Sequence, residues 1–205
     1  MDLLVATTNA GKLVEIADVL KDLSIQMLSL NDFKNSPAVV EDGATYEENA
    51  LKKARTLAEF SGRVALADDS GLEVDALGGA PGVHSARYGG EGATDARNND
   101  KLLRALAGVA EEKRGARFVC VLALYAPAAA GGGEWLFRAE CAGRIAPAPR
   151  GENGFGYDPL FFYPPAGRTF GELDRAAKRR VSHRGRALEK FAAALPELPP
   201  FKRNS

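Results

Sequence analysis

Apolar positions recur along the chain with two periods, and the order of those periods predicts an α/β protein. Leu3 to Ala6 is a short apolar run, the pattern of a buried strand. The polar segment Thr7-Thr8-Asn9-Ala10-Gly11-Lys12 follows, after which Leu13, Ile16, Ala17 and Leu20 recur at helical spacing. A second helix is expected over Thr45 to Phe60, where Thr45 and Glu48 have capping-box spacing and Tyr46, Ala50, Ala54 and Leu57 form an apolar stripe. Arg63 to Ala67 reads as a strand that ends at Asp68-Asp69-Ser70-Gly71. The glycine-rich stretch Gly78 to Gly92 reads as a loop. A third helix is expected over Asp95 to Ala107 with Leu102, Leu103 and Leu106 inward.

The second half of the chain turns to longer strands. Ala116 to Ala126, an Ala/Gly-rich bend, and Glu134 to Cys141 together predict a long antiparallel hairpin. Pro147 to Pro159 is irregular, Leu160 to Tyr163 is a short strand, and Gly171 to Arg179 is helical in pattern. A last helix runs from about Arg184 to Leu195 and stops at Pro196, leaving Pro199 to Ser205 as a loose tail. There is no internal repeat and no linker that would separate domains. The pattern predicts one domain over residues 1–205, an α/β unit with a mixed sheet and a cleft between two lobes.

Composition narrows the function. Apolar residues make up 45% of the 205 and charged residues 26%, as expected of a chain with a sizeable core. Twenty-seven basic residues balance 27 acidic ones, so the basic excess of a long nucleic-acid groove is missing and no polymer partner is expected. Cys120 and Cys141 lie in apolar runs without CxxC spacing and read as reduced core residues. The start of the chain lacks a basic segment followed by an apolar one, and no run approaches the ~18 apolar residues of a membrane span. A cytoplasmic enzyme without a membrane partner is the expectation.

Five segments carry candidate chemistry. Thr7, Thr8, Asn9, Ala10, Gly11 and Lys12 sit between a strand and a helix N-terminus, where backbone N–H groups, the dipole and a lysine suit a triphosphate. The alternative is a helix cap beside a surface lysine. Asp68 and Asp69 follow a buried strand, and adjacent carboxylates there are costly unless a divalent cation relieves them. A solvated Asp-Ser-Gly turn is the other reading. Asn49 and Lys53, four apart on one helix face behind Glu41-Asp42, could face a polar site or simply solvent. Phe155-Gly156-Tyr157-Asp158 pairs glycine with aromatics, as a flat ligand needs, and Asp158 could accept from a base or ribose; the alternative is a tight turn with Phe155 and Tyr157 as core anchors. Lys178, Arg179, Arg180, Ser182, His183 and Arg184 form the densest basic cluster, suited to phosphate or a base carbonyl, or to a solvated face. Neither His84 nor His183 completes a nucleophilic triad.

Together and in this order, these segments resemble the inosine triphosphate pyrophosphatase family, the non-canonical purine NTP pyrophosphatases. The resemblance also takes in Leu77-Gly78-Gly79-Ala80-Pro81-Gly82 and Ser85-Ala86-Arg87-Tyr88 and spans nearly the whole chain. It implies an elongated mixed sheet with flanking helices and two lobes around a deep substrate cleft. It implies a homodimer and Mg²⁺-dependent hydrolysis of ITP, dITP and XTP to the monophosphate and pyrophosphate. By matching position, it makes Thr7 to Lys12, Lys53 and Lys178 phosphate ligands. Asp69 becomes the catalytic acid–base residue and a metal neighbour, with Asp68 beside it and Glu41 as the second metal ligand. Ser70 would touch substrate, Phe155, Gly156, Tyr157 and Asp158 would frame the base, and His183 with Arg184 would read it. Rival readings are a septum-inhibitor-type nucleotide pyrophosphatase and a nucleotide-binding regulator without turnover.

Overall fold

The structure is a computed structural model, and it describes residues 2–21, 23 and 25–202. Among these residues the chain forms strands β1 (Asp2–Val5), β2 (Gln26–Ser29), β3 (Val64–Val74), β4 (Gly115–Ala126), β5 (Gly133–Ile145), β6 (Phe161–Tyr163) and β7 (Arg168–Thr169). The α-helices are α1 (Ala10–Leu20), α2 (Tyr46–Ser61), α3 (Asp95–Ala105), α4 (Arg175–Val181) and α5 (His183–Ala194). The strands form one mixed sheet in the order β2-β1-β3-β4-β5-β6-β7. β1 runs parallel to both β2 and β3, in a register that sets Leu3, Leu4 and Val5 opposite Val64, Ala65 and Leu66. Those residues are almost wholly buried, as parallel strands covered on both faces must be. β6 runs antiparallel to β5 and to β7.

The chain divides into two compact units. The first holds the residues up to Asp69, Cys120–Arg138 and those from Ala187 onward. Its interior includes Ile16 and Leu20 of α1, Ala50, Ala54 and Leu57 of α2, and Phe137 against Phe191 with ring centroids 5.5 Å apart. The second holds Ser70–Val119 and Ala139–Arg186. Its core gathers Leu72, Val74, Leu102, Leu106, Cys141, Ile145 and Tyr157 around the rings of Phe118, Phe161 and Phe170.

Helix starts follow side-chain chemistry closely. Asn9 caps α1 by accepting from the Lys12 N–H, and Thr45 with Glu48 forms the expected capping box of α2. Differences from the sequence reading lie where tertiary pairing overrides local pattern. β3 does not stop at Ala67 but continues through Asp68, Asp69, Ser70 and Gly71 to Val74, because backbone pairing continues whatever the polarity of the side chains. The helix expected over Gly171 to Arg179 is a 3₁₀ turn, Phe170–Glu172, followed by α4, which starts where Asp174 caps the Ala177 N–H. β2 and the two-residue β7 are too short to show a period. Pro199–Phe201 forms a 3₁₀ turn, and the end of the expected tail lies outside the described residues.

Candidate active site

In the first unit the site grows from the middle of β3. Adjacent residues of a strand alternate faces, so the Asp68 and Asp69 carboxylates diverge. Both are buried, which would be costly without partners. Asp68 has them: Lys12 Nζ lies 2.5 Å from its Oδ1, and the Cys120 thiol donates to its Oδ2 over 3.3 Å. Its backbone carbonyl accepts from Lys53 Nζ at 2.9 Å. Lys53 also pairs with Glu41 at 3.1 Å. Lys12 projects from the first turn of α1, and Lys53 from α2 one turn beyond Asn49. Asn49 is buried and its Oδ1 accepts from the Gly43 N–H at 2.8 Å, which ties the Glu41 segment to the helix.

Asp69 titrates well above an ordinary carboxyl. Burial pushes its carboxyl up to about 6 against the opposing pull of Lys53 and Lys12, with Glu41 and Asp68 pushing in the same direction as burial. A carboxylate poised near neutrality can accept a proton from water at working pH. Two lysines here face three carboxylates, so the cluster carries no positive surplus for a polyanion once Asp69 is ionised.

In the second unit the site grows from the loop before β6 and from the α4–α5 junction. The Asp158 carboxylate accepts from the Phe155 N–H at 2.9 Å and pairs with Lys178 Nζ at 2.5 Å, both charged groups being buried. Lys178 Nζ also stands 4.8 Å from the Phe155 ring centroid. Gly154 has φ +78°, and a Cβ there would lie 2.0 Å from Asp158 Oδ2, so the loop closes this tightly only on glycine. Arg184, 2% exposed, donates to Ser70 Oγ at 2.8 Å, and its guanidinium lies 5.5 Å from the Phe155 centroid. His183 is buried and stacks on Phe118 with centroids 4.6 Å apart. Tyr157 is a core anchor: its hydroxyl donates to the Ser85 carbonyl at 2.8 Å, and burial holds it far above the usual phenol range.

The structure thus gathers Lys12, Glu41, Lys53, Asp68 and Asp69 in one cluster, and Ser70, Phe155, Asp158, Lys178 and Arg184 in another. Thr7 accepts from the Asn9 N–H, and Thr8, Asn9 and Ala10 are exposed at the start of α1. Lys178 and Asp158, read separately from the sequence, are partners of each other. Sequence reasoning missed Cys120, which an apolar run disguises. It also missed Asp95, Asn98 and Asn99 on α3, although two consecutive asparagines inside a helix run against helix propensity and are themselves a signal.

A poised carboxylate among lysines, with a strand–polar loop–helix start and a separate aromatic–arginine cluster, defines an α/β protein equipped for nucleoside phosphates. The Ham1 family model matches residues 3–194, and the chain belongs to that family. It is 59% identical to a dITP/XTP pyrophosphatase of Syntrophobacter fumaroxidans over 91% of this chain and 78% of that one. It is 56% identical to one from Geobacter sulfurreducens, over 91% and 92%. Among solved structures it is similar to a HAM1 protein from Coxiella burnetii, at TM-score 0.87 and 43% identity, covering 96% of this chain and 99% of that one. A nucleoside-triphosphatase / dITP/XTP pyrophosphatase from Mycobacterium abscessus gives TM-score 0.75 and 44% identity, covering 96% and 100%.

Proposed function

We propose that the protein hydrolyses non-canonical purine nucleoside triphosphates, dITP, ITP and XTP, to the monophosphate and pyrophosphate, and so cleanses the nucleotide pool. The observation that carries this reading is Asp69, a strand-borne carboxylate raised to about 6 between two lysines, in a chain whose relatives are named dITP/XTP pyrophosphatases. Asp69 takes a proton from the attacking water as the bond to the leaving pyrophosphate breaks. Lys12 and Lys53 exchange part of their pairing with Asp68 and Glu41 for phosphate oxygens and stabilise charge on the leaving group. The exposed residues Thr8 to Ala10 offer the N-terminus of α1 to the same phosphates.

Magnesium fits this donor set. Asp69 and Glu41 offer hard oxygens, and repulsion from Glu41 and Asp68 is among the causes that raise Asp69. Among the described residues no group of three or more His, Cys, Asp or Glu side chains is placed to hold a metal. Magnesium needs no such cage, because it keeps waters and substrate phosphates and takes one or two carboxylates. Bound there, it would supply the positive charge that two lysines among three carboxylates lack.

In the second cluster Phe155 offers a face to the purine, and Arg184 offers a donor to the C6 carbonyl that hypoxanthine and xanthine have and adenine lacks. An amine in that place leaves a donor unpaired at a cost of about 1–3 kcal/mol. Assay of pyrophosphate release from ITP, XTP, GTP and ATP, with and without Mg²⁺, tests the reading. We expect Mg²⁺-dependent release with ITP and XTP preferred. Arg184→Lys, which keeps the charge and loses the fork, should cut kcat/KM for ITP and XTP roughly 10- to 100-fold more than for ATP. Equal losses on all four would make Arg184 a structural cation. No preference in the wild-type protein would overturn the assignment.

The family resemblance also points to a homodimer, which is the state we propose. Sedimentation should give twice the chain mass at micromolar concentration, and a monomer mass at every concentration would refute it.

A further inference from the structure

Helix α3 has polar residues where a helix of a packed unit should be apolar. Asn98 and Asn99 are 3% and 9% exposed, and each is spent on a loop. Asn98 Oδ1 accepts from the Gly89 N–H at 2.6 Å, and its Nδ2 donates to the Ala86 carbonyl at 3.2 Å. One residue on, Asn99 Nδ2 donates to the Gly156 carbonyl at 2.9 Å. Asp95, one turn earlier, accepts from the Gly156 N–H at 2.6 Å. Asp95 and Asn99 are four apart and share a helix face. They therefore grip both polar backbone groups of one residue.

Gly156 follows Phe155 directly and has φ +61°, in the left-handed region that glycine enters without a Cβ clash. No side chain of its own holds it. On the other side of Phe155, the Phe155 N–H is fixed by Asp158, and the Asp158 N–H returns to the Phe155 carbonyl at 3.2 Å. The backbone on either side of the Phe155 side chain is thus held from within the loop by Asp158 and from outside it by α3. We propose that Asp95 and Asn99 are positioning residues for the purine site. They hold Gly156, and through it the Phe155 ring, in the pose that stacks on the base. The proposal rests on the reading of Phe155 as the base platform.

The chemistry of the two contacts sets a pattern that simple destabilisation would not produce. Asp95 acts as an acceptor, so Asp95→Asn keeps an acceptor oxygen and should behave nearly as wild type, whereas Asp95→Ala should not. Asn99 acts as a donor, so the isosteric Asn99→Asp puts a carboxylate against a carbonyl and should raise KM for ITP about tenfold with kcat changed by less than about twofold. In a Phe155→Ala background, where no ring remains to be held, Asn99→Asp should add little, as expected of residues that act through one another.

The experiment measures kcat and KM for ITP in wild type, Asp95→Asn, Asp95→Ala, Asn99→Asp, Phe155→Ala and the Phe155→Ala/Asn99→Asp double variant, with urea denaturation as a check on folding. Asn99→Asp with an unchanged KM would overturn the inference, as would a KM effect that persists in full without the Phe155 ring. If Asn99→Asp fails to fold, the Asp95→Asn and Asp95→Ala pair decides by the same KM readout. A wild-type protein that hydrolyses ITP while the variants break the pattern overturns the positioning role alone. A wild-type protein inactive on every purine triphosphate overturns the functional reading beneath it.

Discussion

Asp69→Asn is expected to abolish turnover and, in protein stripped of divalent metal, to raise stability at neutral pH. The first effect follows from its role: without a carboxylate to take the proton, kcat should fall by about 10²–10⁴. The second follows from its burial. Its carboxyl sits at about 6 in the folded protein against an ordinary value of 3.8. Below 3.8 the group is neutral in both folded and unfolded chains, so it costs nothing. Between 3.8 and about 6 the folded chain binds more protons than the unfolded one, and stability falls as pH rises. Above 6 the full cost of holding the charge is present, on the order of 3 kcal/mol. Asparagine never bears that cost. Urea denaturation of both proteins in EDTA across pH 4 to 8 should show wild type losing stability through that window while the variant stays flat. Added Mg²⁺ should then restore wild type and leave the variant unmoved. Near-normal rates in the variant would remove Asp69 from the chemistry, and a lower stability at pH 8 would mean that burial is not what raises it.

Gly185→Ala should have the largest effect on folding of any single methyl group added to the second cluster. Gly185 lies in the first turn of α5, and its N–H donates to Ser182 Oγ at 3.0 Å. A Cβ built there lies 1.7 Å from the Arg179 carbonyl oxygen at the end of α4. A backbone carbonyl has no rotamer to yield with, so the junction between the two helices must open. Overpacking and loss of the Ser182 contact together should cost at least about 3 kcal/mol. His183 and Arg184 occupy that junction, so activity on ITP should fall even in the folded fraction. Gly167→Ala is the control. Its φ of +63° is unfavourable to alanine, but a Cβ there meets nothing within 4 Å, and the cost should be about 1–2 kcal/mol. Equal denaturation midpoints for the two variants would show that crowding at Gly185 is not what matters.

Much of this was legible in the sequence because local chemistry governs helix starts. The Thr45–Glu48 box and the stripe at Tyr46, Ala50, Ala54 and Leu57 predict α2 almost to the residue. The Asn9 cap and Lys12 were visible for the same reason. What was not legible depends on partners distant in the chain. The acidic pair reads as the end of a strand, since nothing nearby announces that Lys12, Lys53 and Cys120 will be there to receive it. Lys178 looks like part of a basic face until Asp158, twenty residues earlier, is seen to take it. The grip of α3 on Gly156 spans 57 residues for Asn99 and 61 for Asp95, beyond any periodicity.

The two thiols give the molecule a pair of internal clocks. Cys120 and Cys141 are not joined in a disulfide and are fully buried, and burial pushes the Cys141 thiol up to about 11. Only a thiolate in contact with solvent reacts with an alkylating reagent, so neither can be labelled until its surroundings open. Cys120 belongs to the first unit and Cys141 to the second. The rate at which each sulfur takes up label therefore measures how often its own unit opens. With Cys120 touching Asp68, bound nucleotide should slow its labelling by however much it steadies the catalytic strand.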